Sequence, residues 1–286
     1  MSESNAFVSW EDAVRWLKAQ PGQRALVESA YYDDPLIGAA ERYWVSAEWA
    51  SIRAYLPDAR GRALDVGSGR GISAYALAKE GYRVSALEPD PSPYVGAGAI
   101  RTLAEESQLP IEVSESVAEK IPFNDCQFDL VFARAALHHA YDLSRTCQEL
   151  FRVLKPGGRL IAVREHVITK RRDLAVFLSA HPLHRLYGGE NAYLLLEYTA
   201  ALEAAGFYTR GVLAPLLSPI NYAPHSLRTL REDLISRVSR IPGAATVLRC
   251  LLGGDALMRL VLRGGALIDN RPGRLYSFIC DKAAAD

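Results

Sequence analysis

Imidazole side chains follow two of the predicted strands in the middle of the chain. His138 and His139 come shortly after the segment FDLVFAR, and His166 lies at the end of RLIAVREHV. Imidazole titrates near pH 6.5, so a histidine can accept the proton of a hydroxyl group at neutral pH. We predict His139 and His166 as candidate general bases, with His181 as the third candidate.

A glycine-rich turn comes earlier, in LDVGSGRG at residues 64–71. Glycines allow the tight turn and the close approach of a ligand, and the free N–H groups at the start of the next helix attract an anion. A carboxylate about 20 residues on, Glu88, ends the next strand, where it can accept hydrogen bonds from ribose hydroxyls. This pattern predicts a site for an adenosyl cofactor. By itself it does not separate NAD from other adenosyl compounds.

The segment HPLHRLYGGENAY carries many functional groups after the fifth predicted strand. Ligands of open α/β sheets bind beyond the carboxyl ends of the strands, so polar residues there are candidates to contact a substrate. The predicted substrate-contacting residues are Tyr31, His138, Glu165, His184, Tyr187, Glu190 and Asn191. His181 and His184 have an HxxH spacing but no clear third ligand, so no metal site is predicted.

Strands and helices alternate from residue 62 onward, which indicates an α/β fold with a doubly wound, mostly parallel, Rossmann-like sheet. The seven predicted strands are ALDVG, RVSALEP, IEVSES, FDLVFAR, RLIAVREHV, FYTRGVLAP and RLYSFICDK. Helices are predicted over residues 10–20 and 38–56 and, in the core, over residues 72–81, 93–107, 146–158 and 196–206. The chain is thus divided into an N-terminal helical cap (1–60), a core (61–225 and 274–286) with a substrate insertion (167–195), and a helical insertion before the last strand (226–273).

Composition narrows the classes of partner. Lys plus Arg and Asp plus Glu number 33 each in 286 residues, so nothing in the net charge points to nucleic acid. The four cysteines are scattered, without a CxxC spacing, which fits a reduced compartment. No apolar run approaches the roughly 20 residues that span a bilayer, and no signal-peptide core is evident. These observations lead us to expect a cytoplasmic protein with a small-molecule substrate.

The last section, residues 226–286, has nine Arg and one Lys against six acidic residues. Its segment ATVLRCLLGGDALMRLVLRGGALI has the pattern of paired amphipathic helices. A helical cap with solvated arginines, or the surface of a homodimer, is the favoured interpretation. Contact with a membrane surface is the less favoured alternative.

Five segments in order, LDVGSGRG, ALEPD, SVAEKIPF, FDLVFARAALHH and ELFRVLKPGGRLIAV, resemble the class I S-adenosylmethionine-dependent methyltransferases. The most similar group is the small-molecule enzymes that include the ubiquinone and menaquinone methyltransferases. The resemblance covers residues 62–166. The LKPGG block has no counterpart in dehydrogenases.

The resemblance implies S-adenosyl-L-methionine as cofactor and S-adenosyl-L-homocysteine as its product. It implies that Asp65, Gly67, Ser68 and Gly69 hold the methionine end, that Glu88 holds the ribose, that Ala118 and Glu119 border the adenine, and that Arg134 lies beneath the methionine end. His138 and His139 would lie near the transferring methyl group, and the segment with Tyr31 would fold over the cofactor. Val117 stands where the family usually has an aspartate.

The expected function is therefore methyl transfer to a small molecule, to a hydroxyl group in particular. Two alternatives stay open at this point. One is an NAD-dependent dehydrogenase or epimerase, and the other is a non-catalytic relative that binds the cofactor.

Overall fold

A computed structural model describes residues 8–238, 240 and 244–284. Its single mixed sheet has eight strands. These are β1 Arg62–Val66, β2 Arg83–Leu87, β3 Ile111–Ser114, β4 Phe128–Arg134, β5 Leu154–Ile168, β6 Tyr193–Leu194, β7 Tyr208–Leu213 and β8 Arg274–Asp281.

Helices surround this sheet, precede its first strand and come between β7 and β8. They are α1 Trp10–Ala19, α2 Arg24–Ser29, α3 Leu36–Trp44, α4 Ala47–Arg53, α5 Ile72–Lys79, α6 Ala97–Ser107, α7 Leu143–Val153, α8 Asp173–Ala180, α9 His184–Tyr187, α10 Leu195–Ala204, α11 Pro219–Tyr222, α12 Leu227–Val238, α13 Ala244–Leu251 and α14 Asp255–Ile268. A 3₁₀ turn, Leu137–His139, follows β4.

The strand order is β3-β2-β1-β4-β5-β8-β7, with β6 paired to β5. The pairs from β3 through β5 are parallel, whereas β8 runs antiparallel to both β5 and β7. The order reverses between β1 and β4, which is where ligands of doubly wound sheets bind. The predicted Rossmann-like fold is confirmed. The eighth strand, β6, was not predicted because two residues carry no periodicity.

Two predicted helices end differently in the structure. The helix predicted over residues 146–158 stops at Val153, because Leu154 already pairs with Phe128 and the LKPGG block belongs to β5. Pro156 cannot donate the backbone hydrogen bond that a helix needs. The helix predicted over residues 38–56 is two helices, α3 and α4, since the Ser46 side chain accepts a hydrogen bond from the N–H of Trp49 and starts a new helix.

The core lies on both faces of the sheet. On one face the buried side chains include Tyr43 and Trp49 of the N-terminal helices, packed with those of α5. On the other face Leu150 of α7 and Tyr198 of α10 pack against the sheet. Asp129 accepts a hydrogen bond from the N–H of Arg62 at 2.8 Å at the start of the strands.

The N-terminal cap and the substrate insertion pack against each other. Val14 and Leu17 of α1 and Val27 of α2 form one apolar cluster with Leu183, immediately before α9. The two segments, which are far apart in the sequence, therefore meet. Their shared wall positions aromatic residues of both segments around one cavity.

The C-terminal helices α12 to α14 form a small cluster of their own around Leu252, Met258 and Leu262. Leu260, Leu267 and Ile268 of α14 are exposed. The homodimer and the membrane surface, proposed from the amphipathic pattern, both remain predictions. Among the described residues no helix is long and apolar enough to cross a membrane.

Candidate active site

A cavity of about 430 Å³ opens at the carboxyl ends of β1, β2 and β4. That volume lies in the range of roughly 300–1,000 Å³ that is usual for small-molecule sites. Its walls come from the glycine turn, the strand ends and the cap. They include Trp10, Tyr31, Tyr32, Gly67, Ser68, Gly69, Arg70, Glu88, Ser116, Val117, Ala118, Glu119, Arg134, His139, Thr146 and Tyr187.

The glycine turn forms the floor of this cavity. Gly67 and Gly69 have φ values of 63° and 53°, in the left-handed region that favours glycine. A Cβ on Gly67 would lie 2.8 Å from the Cβ of Ala136, whereas a Cβ on Gly69 would meet no atom within 4 Å. Gly67 is therefore needed for packing of the turn, and Gly69 leaves open space for a ligand.

Asp65 lies beneath the turn rather than in the cavity wall. Its carboxylate accepts hydrogen bonds from Ser68 Oγ at 2.6 Å and Ser73 Oγ at 2.8 Å. Burial raises the pKa of Asp65 to about 6. Asp65 thus anchors the turn, while Ser68 both lines the cavity and donates to Asp65. The predicted role of Asp65 in holding the methionine end stays a prediction.

Glu88 stands at the end of β2 and faces the cavity. Its carboxylate accepts from the N–H of Gly69 at 2.7 Å and from the N–H of Asp90 at 3.0 Å. Only 8% of the residue is exposed, and this burial raises its pKa to about 7. A buried carboxylate beside the glycine turn is placed to accept hydrogen bonds from ribose hydroxyls.

The segment 116–119 forms the far wall. Val117 lines this wall and is 48% exposed. The Glu119 carboxylate accepts from the N–H groups of Tyr141 at 2.8 Å and Asp142 at 3.3 Å. Glu119 therefore organises the loop before α7, and Ala118 contributes wall surface.

Arg134 ends β4 beneath the cavity and pairs with a buried glutamate of α4. Its Nε lies 2.7 Å from Glu48 Oε1, and Arg164 Nη1 lies 3.6 Å from Glu48 Oε2. Burial opposes the charged form of Glu48, but the two arginines outweigh burial and lower its pKa. Arg134 lines the cavity, and its predicted position beneath the methionine end stays a prediction. Its partner Glu48 was missed because nothing in the local sequence of α4 distinguishes it from a surface glutamate.

Glu165 and His138 form a buried pair behind the cavity. Glu165 accepts from His138 Nδ1 at 2.9 Å and from the backbone N–H groups of Ala136 and His138 at 3.2 and 3.0 Å. Burial opposes the charged imidazole, but the carboxylates of Glu165 at 2.9 Å and Glu190 at 3.6 Å outweigh it and raise the pKa of His138 to about 9. The two residues, predicted to contact substrate, instead shape the turn that presents His139; neither is among the described residues that line the cavity.

His139 is the one of the three general-base candidates whose side chain faces the cavity. Its Nδ1 donates to the carbonyl oxygen of Gly189 at 2.9 Å, which leaves Nε2 as a proton acceptor. Burial, together with the charge on His138, lowers the pKa of His139. His166 and His181 lie behind it, outside the described cavity lining. The pKa of His166 falls to about 3, chiefly through burial.

The substrate insertion contributes one aromatic wall. The Tyr187 ring lies 4.4 Å from that of Trp10, measured between centroids, and its hydroxyl donates to Glu190. Tyr31 contributes from the cap and faces Arg134 at 5.4 Å. Of the predicted substrate residues, Tyr31 and Tyr187 line the cavity; His184, Glu190 and Asn191 are outside its described lining.

Several lining residues were not predicted. Arg70 lies inside the glycine turn, yet its guanidinium reaches away to the carbonyl oxygens of Tyr31 and Asp33. Trp10 comes from the cap, and Thr146 comes from α7. Their side chains are ordinary helix or turn residues in the sequence, so only the fold could bring them to this cavity.

The fold and this cavity define a Rossmann-like protein with a site for an adenosyl cofactor. Residues 64–162 match the family described as methyltransferase domain. Together with the relatives below, this match supports a class I S-adenosylmethionine-dependent methyltransferase domain in residues 64–162. The dehydrogenase alternative is thereby set aside.

Similar proteins carry related names. The demethylmenaquinone methyltransferase of Thermobifida fusca is 34% identical over 125 residues, which cover 42% of this chain and 49% of that protein. The ubiquinone biosynthesis O-methyltransferase of a Methylobacterium species is 24% identical over 55% of this chain and 64% of that protein. The chain thus spans about half to two thirds of the length of these relatives.

A solved structure extends the likeness over nearly the whole chain. The geranyl diphosphate C-methyltransferase of Streptomyces coelicolor, in complex with Mg²⁺, geranyl diphosphate and S-adenosyl-L-homocysteine, aligns with a TM-score of 0.59. The alignment covers 96% of this chain and 98% of that one at 15% identity. At this identity the likeness establishes the fold alone.

The residues present fit S-adenosylmethionine. The turn at Gly69 leaves open space at the floor of the cavity, and the Glu88 carboxylate lies beside it. These are the two features that the methionine end and the ribose of this cofactor require. S-Adenosylmethionine is the cofactor of the family, and Gly67, Ser68, Gly69 and Glu88 are the residues that would hold it.

Proposed function

We propose that this chain transfers a methyl group from S-adenosylmethionine to a hydroxyl oxygen of a small molecule. The observation that carries this proposal is the position of His139, in the wall of the same cavity that contains the glycine turn and Glu88. The names of the two curated relatives, one of them an O-methyltransferase, support the substrate class.

Positioning is the main task of such a site. When bound, S-adenosylmethionine supplies a methyl group already activated by the sulfonium, and the electron pair of the breaking bond stays on sulfur. The protein therefore needs to hold the acceptor in line and remove its proton. His139 is suited to the second task because its lowered pKa keeps it neutral and its Nδ1 is already fixed by Gly189.

The aromatic side chains of Trp10, Tyr32 and Tyr187 would hold the acceptor. They come from the cap and the insertion and line the cavity beside the glycine turn. Aromatic walls favour a flat or apolar acceptor and exclude water from the reacting oxygen. We infer an acceptor with a hydroxyl on an aromatic or conjugated ring.

Binding of the cofactor product tests the first half of the proposal. We expect S-adenosyl-L-homocysteine to bind with micromolar affinity in calorimetry, and Glu88→Ala to weaken that affinity at least tenfold, because two hydrogen bonds to a carboxylate are lost. Glu112→Ala is the matched control, since Glu112 is an exposed carboxylate on the neighbouring strand β3. Equal affinities in both variants would contradict the assigned role of Glu88.

Turnover of a panel of hydroxylated aromatic compounds tests the second half. We expect methylation on oxygen, seen by mass and NMR, and a loss of kcat of about 10²–10⁴-fold in His139→Gln, the usual contribution of a general base. S-Adenosyl-L-homocysteine affinity should remain within a few-fold of the parent value. Methylation on carbon or nitrogen, with full activity in His139→Gln, would reject both the acceptor class and the base.

A further inference from the structure

A second group of side chains gathers behind the cavity. His166 at the end of β5, His181 after α8 and Glu190 after α9 each bring one ligand atom within 4.8 Å of the other two. We name these three residues the Glu190 cluster. It lies outside the described cavity lining, and methyl transfer as proposed above makes no use of it.

The spacing within the Glu190 cluster is unusual for hydrogen bonding. His181 Nε2 lies 3.7 Å from Glu190 Oε1, beyond the range of a normal hydrogen bond. Two ligands that each lie about 2.1 Å from one ion are themselves about 3–3.5 Å apart. The separation is therefore close to that of two ligands that share an ion.

The imidazole of His166 is held in the orientation that a ligand requires. Its Nδ1 donates to the carbonyl oxygen of Gly273 at 2.8 Å, so its Nε2 keeps a free lone pair. The Phe177 ring packs at 4.8 Å from the ring of His166 and at 5.7 Å from that of His181. A fixed tautomer and an apolar wall are typical surroundings of a metal ligand.

Polar atoms of the cluster lack partners. The Glu190 side chain is only 6% exposed, and its Oε2 is buried without a hydrogen-bond partner among the described residues. The same is true of His181 Nδ1. Glu165 and Glu190 also share the single imidazole of His138 between them, at 2.9 and 3.6 Å. Two buried carboxylates that share one imidazole make these surroundings favourable for a further cation.

We propose that His166, His181 and Glu190 bind one divalent transition-metal ion. Two imidazoles and a carboxylate suit Zn²⁺, Fe²⁺, Ni²⁺ or Co²⁺ rather than Mg²⁺ or Ca²⁺, which prefer oxygen ligands. His138 and His139 also lie near Glu190, as a second set of three. They are the weaker choice, because His138 is held between two carboxylates and His139 faces the cavity.

The three ligands come from two separate parts of the chain. His166 belongs to the sheet, whereas His181 and Glu190 belong to the insertion that contributes Tyr187 to the cavity. An ion bound here would fasten the insertion to the sheet. This site differs from the HxxH pair of His181 and His184. His184 belongs to neither set of ligands, and Glu190 is the third ligand beside His166 and His181.

The experiment uses the untagged full-length protein. After treatment with chelator and dialysis, one equivalent of Co²⁺ should give d–d absorption between about 500 and 650 nm, and elemental analysis after Zn²⁺ loading should give one ion per chain. Cys126 and Cys250 are exposed, so both are replaced by serine in the background protein. The thiolate charge-transfer band must then be absent, and the d–d absorption must persist.

Single variants identify the ligands. His166→Gln, His181→Gln and Glu190→Gln should each weaken Zn²⁺ binding at least tenfold in a competition assay with a chromophoric chelator. His184→Gln is the matched control from the same insertion, and His139→Gln is the control for the second set of ligands. Both should retain the parent affinity, and circular dichroism should show that every variant is folded.

Three results would overturn the proposal. One is a folded parent protein that takes up less than a tenth of an equivalent of Zn²⁺ and shows no d–d absorption. Another is unchanged binding in Glu190→Gln. The third is loss of binding in His139→Gln with full binding in His181→Gln, which would assign the ion to the other set. None of these measurements involves methyl transfer, so the metal site can fail while the proposed function stands.

Discussion

Glu88 must serve two opposed requirements at the scale of a single residue. To accept hydrogen bonds from ribose it must be ionised, yet burial raises its pKa to about 7 from 4.5. The backbone N–H groups of Gly69 and Asp90 offset only part of that penalty. The ionised carboxylate therefore favours ligand binding but lowers the stability of the free protein.

Glu88→Gln should make the free protein more stable at high pH. Because the pKa of Glu88 is higher in the folded than in the unfolded protein, its protonated form contributes to stability. This contribution is complete below pH 4.5 and is lost as the pH rises through about 7. The rise in the pKa of Glu88 from 4.5 to about 7 corresponds to about 3 kcal/mol. We expect the variant to gain up to about 3 kcal/mol at pH 8 and little at pH 5, measured by urea unfolding.

The same variant should bind S-adenosyl-L-homocysteine more weakly at pH 8, although it is more stable there. A stability difference that is equal at pH 5 and pH 8 would show that the carboxyl of Glu88 is not the group that titrates. Glu112→Gln, on the exposed side of β3, controls for the general effect of removing a negative charge.

Helix α4 and strand β4 are held together by the buried contact of Glu48 with Arg134 and Arg164. The Glu48 side chain is 1% exposed, and each arginine side chain is 15% exposed. Removing one partner from a buried ion pair leaves charge without compensation, which costs about 3–5 kcal/mol. We expect Glu48→Ala to lower the free energy of unfolding by that amount, as measured in urea.

The matched control is Glu105→Ala on α6, an exposed glutamate whose loss should change stability by no more than about 0.5 kcal/mol. In a double-mutant cycle, Arg134→Met in the Glu48→Ala background should cost less than Arg134→Met alone. Additive effects would mean that the two side chains do not stabilise each other.

Local patterns were predictable at the scale of elements. The turn at Gly67 and Gly69 was found because its chemistry lies within eight consecutive residues, and Glu88 follows at a fixed distance along the chain. The start of the extended LKPGG block was assigned to the end of a helix because Val153 and Leu154 fit either period. Its strand character comes from pairing with β4 and β8, which no local window contains.

Contacts between distant segments were not predictable. Glu48 and Arg134 are 86 residues apart, and the hydrogen bond between them exists only once the cap packs on the sheet. The same holds for His166 and Glu190, because the sequence around each residue does not show that the two meet. His166 was predicted as a general base for its residue type and position after a strand, yet the fold turns it away from the cavity towards Gly273.

At the scale of the whole molecule, the cavity belongs to no single part. The cap contributes Trp10 and Tyr32, the core contributes the glycine turn, and the insertion contributes Tyr187. Arg70 joins two of these parts directly, since its guanidinium binds the backbone of Tyr31 and Asp33 and lies 2.5 Å from Asp34 Oδ1. A ligand on the glycine turn should therefore affect the cap.

We expect S-adenosyl-L-homocysteine to slow amide hydrogen exchange in residues 24–34 of the cap and 183–188 of the insertion, as well as in the glycine turn. Helix α14 packs in a separate apolar cluster, so its exchange should not change. In Arg70→Ala the turn should still be protected by the ligand, whereas protection of the cap should shrink, because the link through the guanidinium is gone. If saturating ligand protects the turn of the parent protein but leaves 24–34 unchanged, the cap is not part of the binding site, and the aromatic wall assigned to the acceptor must lie elsewhere.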